Sequence, residues 1–415
     1  MSSSVSSRSR NAAAQRITWK HEKANAHSGT SEGPLRVHAI LWNSLGRGSV
    51  AYTVDEILGN LPAGRVDQSL WCLSGDPGDP RDYHRPALPR PVFSVLCKLN
   101  ASLGTHVALA RAFALRSIVR ADIVYAWPPY DLELINRARD RGAIVVAERI
   151  NCMGGMVRSV LSRAFARRHL GLPDGWCTLE SIAEEREQML QCNYLTAPNA
   201  LVAQSIVEAG IAEDRILQTS YGYNPLRLAK AIGIRRPVRP PVFAFVGLGI
   251  VRKGLDVLLE AWEQANAGGR LLIAGNIDDD LRQDYAEVLA REDIQELGYV
   301  TDVADVYAAA DVFVFPTHEE GGPQVTYEAA ACGLPCIVSP MGAGRVIRHE
   351  QEGLIINPLE VSDVADAITR LATDARLRAE LGQGAAVRAT EFTWDKVAAR
   401  IYELFRGVAR KAALG

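Results

Sequence analysis

The chain has 415 residues, 48% of them hydrophobic and 23% charged, and its 46 Lys and Arg against 48 Asp and Glu leave a net charge of −2. Such a length calls for two or three domains, and such a composition excludes a mostly disordered chain, a coiled coil and a collagen-like repeat. The balanced charge argues against binding nucleic acid by bulk charge, and no run of about 18 uncharged apolar residues marks a membrane span.

Residues 1–34 are rich in Ser, Ala, Arg and Lys and lack the apolar core of a signal peptide, so they read as a disordered leader. Strands are expected at Arg36–Trp42, Gln68–Leu73, Ile123–Ala126, Ala143–Ala147, Tyr194–Ala197 and Ile216–Tyr221, with helices at Leu132–Arg139 and Leu201–Ala209. Together they form a first unit over residues 35–230. The Pro- and Arg-rich stretch within 231–241 has no periodicity and reads as a linker. Beyond it the alternation is cleaner. Strands are expected at Val242–Val246, Arg270–Ala274, Gln295–Tyr299, Asp311–Phe315, Cys336–Ser339 and Gly353–Ile356. Helices fall at Leu255–Gln264, Asp279–Ala290, Val303–Ala310, from Pro323 to the stop at Gly333, Ser362–Ala372 and Ala375–Glu391. Residues 242–392 are thus a second unit, and residues 393–415 a C-terminal amphipathic helix. Near-continuous apolar strands alternating with helices mean parallel sheets covered on both faces. The expected fold is α/β: two doubly wound Rossmann-like domains facing across a cleft, with ligands beyond the carboxyl ends of the strands.

The small net charge conceals an asymmetry: residues 1–228 carry +5 and the remainder −7. Tyr83 to Ala121 contains no acidic residue but holds Arg85, Arg90, Lys98, Arg111, Arg116 and Arg120 among apolar positions. Met156 to Leu170 repeats the pattern with Arg158, Arg163, Arg167 and Arg168. Two readings stand for these runs: solvated helix faces, or a surface resting on anionic lipid. Seven cysteines without a C-x-x-C pair point to a reducing, cytoplasmic compartment, peripheral at the inner membrane face if the lipid reading holds.

Two loops carry chemistry. After the first strand of the second unit comes Gly247-Leu248-Gly249-Ile250-Val251-Arg252-Lys253-Gly254, which opens a helix. Glycines admit a ligand close to the backbone, and a helix N-terminus with two cations suits a phosphate. Arg252 stands where a dinucleotide fingerprint needs its third Gly, and no G-K-[ST] of a Walker A loop occurs. The second loop, Pro316 to Pro335, sets Glu320 before a helix and Glu328 inside it, with Gly321 and Gly322 between. Backbone amides for an anion beside carboxylates for hydroxyls match the two needs of a sugar nucleotide. The run Asp278-Asp279-Asp280 contains a D-x-D spacing but opens a helix away from this loop, and reads as a helix N-terminal charge cluster.

Glu320-x7-Glu328, followed by Ala-Ala-Ala-Cys-Gly-Leu-Pro, resembles the E-x7-E signature of the family 4 (group 1) retaining glycosyltransferases, which have the GT-B fold. Phe245-Val246-Gly247 through Lys253-Gly254, the helix with Leu258-Leu259-Glu260-Ala261-Trp262, Asp311 to Pro316, and Gly353 to Pro358 are similar to the same family, and the first unit more weakly so. The resemblance implies transfer of a hexose from a nucleoside diphosphate sugar to an acceptor hydroxyl in surface polysaccharide or glycolipid synthesis, with no metal and no cofactor beyond that donor. It implies Glu328 on the ribose, Glu320 on the donor sugar, and Gly247, Gly249, Gly321 and Gly322 near sugar and phosphate. Lys253, helped by Arg252, would balance the leaving diphosphate. Leu248 stands where many members have a basic residue, and Arg345 where many have an acidic one, which leaves Arg345 either on the diphosphate or in a surface ion pair. The acceptor, a sugar or a lipid-linked sugar, is expected on the first unit, near Asn43–Ser49, Trp127 to Asp131, Glu148 and Asn151. A sugar-nucleotide epimerase and a non-catalytic sugar-nucleotide-binding protein are the rival readings.

Overall fold

The computed structural model of the chain describes residues 33–45, 49–74, 81–88, 90–98, 103–114, 121–234 and 239–414. Almost all of the leader, residues 46–48 of the Asn43–Ser49 loop, Arg116, Arg120 and residues 235–238 of the linker lie outside them.

Two wholly parallel sheets organise the rest. The first uses β1 (Leu35–Ser44), β2 (Val66–Ser74), β3 (His84–Pro86), β4 (Ile123–Ala126), β5 (Ile144–Ala147), β6 (Tyr194–Ala197) and β7 (Ile216–Gln218), in the order β3-β2-β1-β4-β5-β6-β7. The second uses β8 (Val242–Val246), β9 (Arg270–Ala274), β10 (Ile294–Gly298), β11 (Val312–Phe315), β12 (Cys336–Val338) and β13 (Gly353–Ile355), in the order β10-β9-β8-β11-β12-β13. The strand order of each sheet reverses beside its first strand, at β1/β4 and at β8/β11. That is where a doubly wound sheet opens a crevice at its carboxyl edge.

The strands form because short β-branched and aromatic runs are buried on both faces. β4 and β5 have no exposed residue, and neither have β8 and β11. In the second sheet Phe313 and Phe315 stack at 5.9 Å, and Phe243 meets Trp262 of the helix Leu255–Ala265 edge-on at 5.3 Å. The expected helix at Asp279–Ala290 is instead two short ones, Asp279–Asp284 and Ala286–Leu289, with Tyr285 between them outside helical geometry. β3 was not expected: three residues ending in Pro86 show no alternation, and they hold only by pairing with β2 at the sheet edge. The C-terminal helix, Trp394–Leu414, returns to the first sheet, where Phe405 packs edge-on against Tyr125 at 5.1 Å.

The charge asymmetry finds its use between the halves. The helix Gly154–Arg167 belongs to the first half, yet Arg167 pairs with Asp256 and, at 2.6 Å, with Glu260 of the second, while Arg168 pairs with Asp284. The second basic run therefore spends Arg167 and Arg168 on the acidic half of the same chain, while Arg158 and Arg163 remain exposed. In the first run, Arg111 is likewise held by Asp131 at 2.7 Å and by Glu133. Among the described residues, no helix is long and apolar enough to cross a membrane.

Candidate functional site

The carboxyl ends of the two sheets face each other around a cavity of about 320 Å³. Val246, Gly247, Arg252, Lys253, Phe315, Glu320, Gly322, Pro323, Gln324 and Val325 line it from the second half; Val50, Thr53, Ile150, Asn151 and Tyr221 line it from the first.

The β8 loop builds one wall. Gly247 lies at the strand end with φ 151°, and the chain then makes a single 3-10 turn over Val251–Lys253. Gly254 ends that turn with φ 73°, pressed so closely on the Pro316 carbonyl that a Cβ would overlap it. This places Arg252 and Lys253 at the mouth of the following helix. Gly249 is turned away from the cavity, packed on Leu255 and Ile277, and Leu248 is 55% exposed. The departure at Leu248 thus faces solvent.

The β11 loop builds the opposite wall. Lys253 forms an ion pair with Glu320, and its ammonium sits 5.5 Å from the centre of the Phe315 ring. Burial, and then the neighbouring Arg252, push the Lys253 ammonium down to about 7, while the Glu319 carboxylate resists. Arg252 reaches Glu319 at 3.4 Å and Glu320 at 3.5 Å. Two cations and two carboxylates are therefore packed into one small volume, an arrangement suited to holding a charged, hydroxylated ligand.

The remaining expected residues separate. Gly322 lines the cavity against the ring of Tyr221. Gly321 instead abuts the Ile150 carbonyl, where any side chain would collide, and its own carbonyl accepts from Asn199 Nδ2 at 2.5 Å. Glu328 is buried behind the wall. It accepts from Tyr307 Oη at 3.0 Å, and burial raises its pKa against the pull of Arg227. Arg345 does not line the cavity: it donates to Thr219 O at 2.6 Å, Ala197 O at 3.1 Å and the Gln218 side chain at 2.5 Å. Its guanidinium is committed to tying the halves together, which is neither of its two expected roles. His318 is 2% exposed, and burial holds its imidazole down to about 4, hence neutral. The Asp278 cluster caps its own helix, Asp278 Oδ1 accepting from the Asp280 amide at 3.2 Å.

On the acceptor side, Trp127 is in the core at 5.3 Å from Tyr125, and Asp131 caps a helix while accepting from Trp42 and Arg111. Neither reaches the cavity. Asn151 and Tyr221 do, and Glu148 holds the Tyr221 hydroxyl at 3.0 Å. Val50, Thr53 and Glu319 are the participants with no signal of their own in the sequence. Thr53 joins through a hydrogen bond from Gln324 that exists only once the halves meet.

Residues 240–374 match the family model described as glycosyl transferases group 1. D-inositol 3-phosphate glycosyltransferase of Xylanimonas cellulosilytica is 30% identical over 194 residues, 42% of this chain and 44% of that one. The chain spans about half or less of the length of curated relatives it matches. Among solved structures, sucrose-phosphate synthase from Thermosynechococcus elongatus superposes with a TM-score of 0.67 at 18% identity, covering 90% of this chain and 99% of that one. HepE of Anabaena, in complex with UDP and glucose, superposes with a TM-score of 0.64 at 14% identity, covering 90% and 100%. The second half matches the group 1 glycosyl transferases, and the two-sheet architecture shared with these structures is the GT-B fold.

Proposed function

We propose that the chain is a retaining glycosyltransferase that moves a hexose from a nucleoside diphosphate sugar to an acceptor hydroxyl. The observation that carries this reading is the convergence of Arg252, Lys253 and Glu320 on one cavity walled by both halves. A departing nucleoside diphosphate develops negative charge, and preorganised cations beside it are the largest source of rate such a site can supply. Arg252 and Lys253 take that role. Glu320, already the partner of Lys253, receives the donor sugar's hydroxyls, and Lys253 moves from Glu320 toward the diphosphate as the donor enters. We assign the ribose to Glu328, which lies inside the next helix and behind the cavity wall. The UDP and glucose bound in HepE support a donor of this chemistry. The acceptor enters between Val50, Thr53 and Asn151 of the first half.

The test is thermal stability of the purified chain against UDP-, GDP-, ADP- and dTDP-sugars, with Glu328→Ala in parallel. A ligand that binds only the folded state raises the melting temperature, the more so the tighter it binds. One donor class should raise it, and the rise should vanish in Glu328→Ala. Transfer from that donor, with the product anomer read by NMR, then checks retention. Silence across the whole panel would sink the reading.

A further inference from the structure

Glu319 stands beside Glu320 but outside the E-x7-E spacing. Its side chain is wholly enclosed. One carboxylate oxygen accepts from Asn151 Nδ2 at 3.1 Å and the other from the Cys152 amide at 3.2 Å, both from the loop after β5. Arg252 Nη1 lies 3.4 Å from the first of these oxygens and donates to the Glu319 carbonyl at 3.2 Å. Asn151 and Arg252 line the cavity from opposite halves. Arg345 and Arg167 also bridge the halves, but their partners lie outside the cavity wall.

We propose that Glu319 is the positioning residue of the site: it fastens the loop after β5 to the donor-side loops and aims Arg252 into the cavity. The proposal rests on the transferase reading only for what Arg252 is aimed at. A buried carboxylate is tolerated only with its oxygens satisfied, and here the partners come from both halves. Separating the halves removes the Asn151 and Cys152 donors together, so the closed arrangement is the one in which Glu319 is fully paired. The same carboxylate restrains a long cation that would otherwise sample many rotamers, and ordering of that kind acts on the transition state more than on ground-state binding. Glu319→Gln keeps the shape and one acceptor but removes the charge that holds Arg252.

Two measurements on the full-length chain test this, with Glu319→Gln, Asn151→Ala and the double variant. Hydrogen exchange in residues 150–153 reads the fastening without reference to catalysis. It should quicken by about 10-fold in Glu319→Gln, remain unchanged in the helix Gln324–Ala331, and be no faster in the double variant than in the single. With the donor that raises the melting temperature, kcat should fall by about 10-fold or more while the donor KM stays within about 3-fold. Wild-type exchange in Glu319→Gln overturns the fastening, and a raised KM with unchanged kcat overturns the aiming of Arg252. A wild-type chain that turns over no donor refutes the transferase reading, and the exchange data still decide whether Glu319 fastens the halves.

Discussion

At the carboxyl end of β5, Glu148 is walled in by hydroxyls: Tyr125 and Thr196 donate to one carboxylate oxygen at 2.5 Å each, and Tyr221 to the other at 3.0 Å. Tyr130 donates to the Glu148 carbonyl, and Arg149 is the neighbouring cation. Desolvation outweighs these partners and pushes the Glu148 carboxyl from its ordinary 4.5 up to about 7. The folded state therefore binds this proton more tightly than the unfolded state does. The associated stability is complete below pH 4.5 and is lost as the pH climbs through about 7. A shift of this size corresponds to about 3 kcal/mol. Urea unfolding followed between pH 4.5 and pH 8 should show that decline, and Glu148→Gln should flatten it. A wild-type pH slope in Glu148→Gln would remove Glu148 as its source. Because Tyr221 is both a partner of Glu148 and a wall of the cavity, the same variant also reports how firmly the acceptor side is held.

Helices and strands show where the sequence is a sufficient guide. Most strands of the second half are legible because they are apolar runs too short for a helix and closed by Gly or Pro, as at Val246-Gly247, Ala274-Gly275 and Phe315-Pro316, whereas β10, Ile-Gln-Glu-Leu-Gly, is polar and partly exposed. The loop with Arg252 and Lys253 and the Glu320 loop follow, since strand ends at the switch point must carry the site. Glu319, Thr53 and the commitment of Arg345 were not legible, because each is defined by a partner more than 60 residues away in the chain. Amphipathic helices expose the same limit. A basic face states that it needs a polar or anionic neighbour, not which one: Arg167 found Asp256, whereas the helix Arg90–Lys98 leaves Val92 41% and Val95 53% exposed beside an exposed Lys98. Leu109, on the helix Leu103–Ala114, is 39% exposed. Our proposal for these two helices is contact with an anionic bilayer carrying a lipid-linked acceptor. Flotation with vesicles of phosphatidylglycerol should carry the chain, vesicles of phosphatidylcholine alone should not, and Val92→Asp/Val95→Asp should abolish the binding. Equal flotation of that variant would exclude the helix as the contact.

At the scale of the whole molecule, arginines of the first half pair with carboxylates of the second. Arg167 is the clearest case: it enters the second half to meet Asp256, which is 0% exposed, while its other nitrogen holds Glu260. Asp256 lies in the first turn of the helix that begins at Leu255, next to Lys253 and Gly254, so this contact fixes the base of the donor wall from the opposite domain. Burial raises the Asp256 carboxyl pKa, with Arg167 opposing it, as expected for a charge that is tolerable only when paired. Breaking such a pair costs more than replacing it, because the remaining charge has no solvent to return to. Arg167→Met should therefore lower the stability of the full chain by about 3 kcal/mol in urea unfolding, and Arg167→Met/Asp256→Asn should regain most of that loss. Equal losses in the single and double variants would mean that the pair stabilises by its own attraction and not by sparing a bare carboxylate. Regain in the double variant would mean that the charge asymmetry fixes which surfaces of the two halves meet and contributes little to how tightly they hold. The alignment of Lys253 with the acceptor side would then be set by arginines that never touch a substrate.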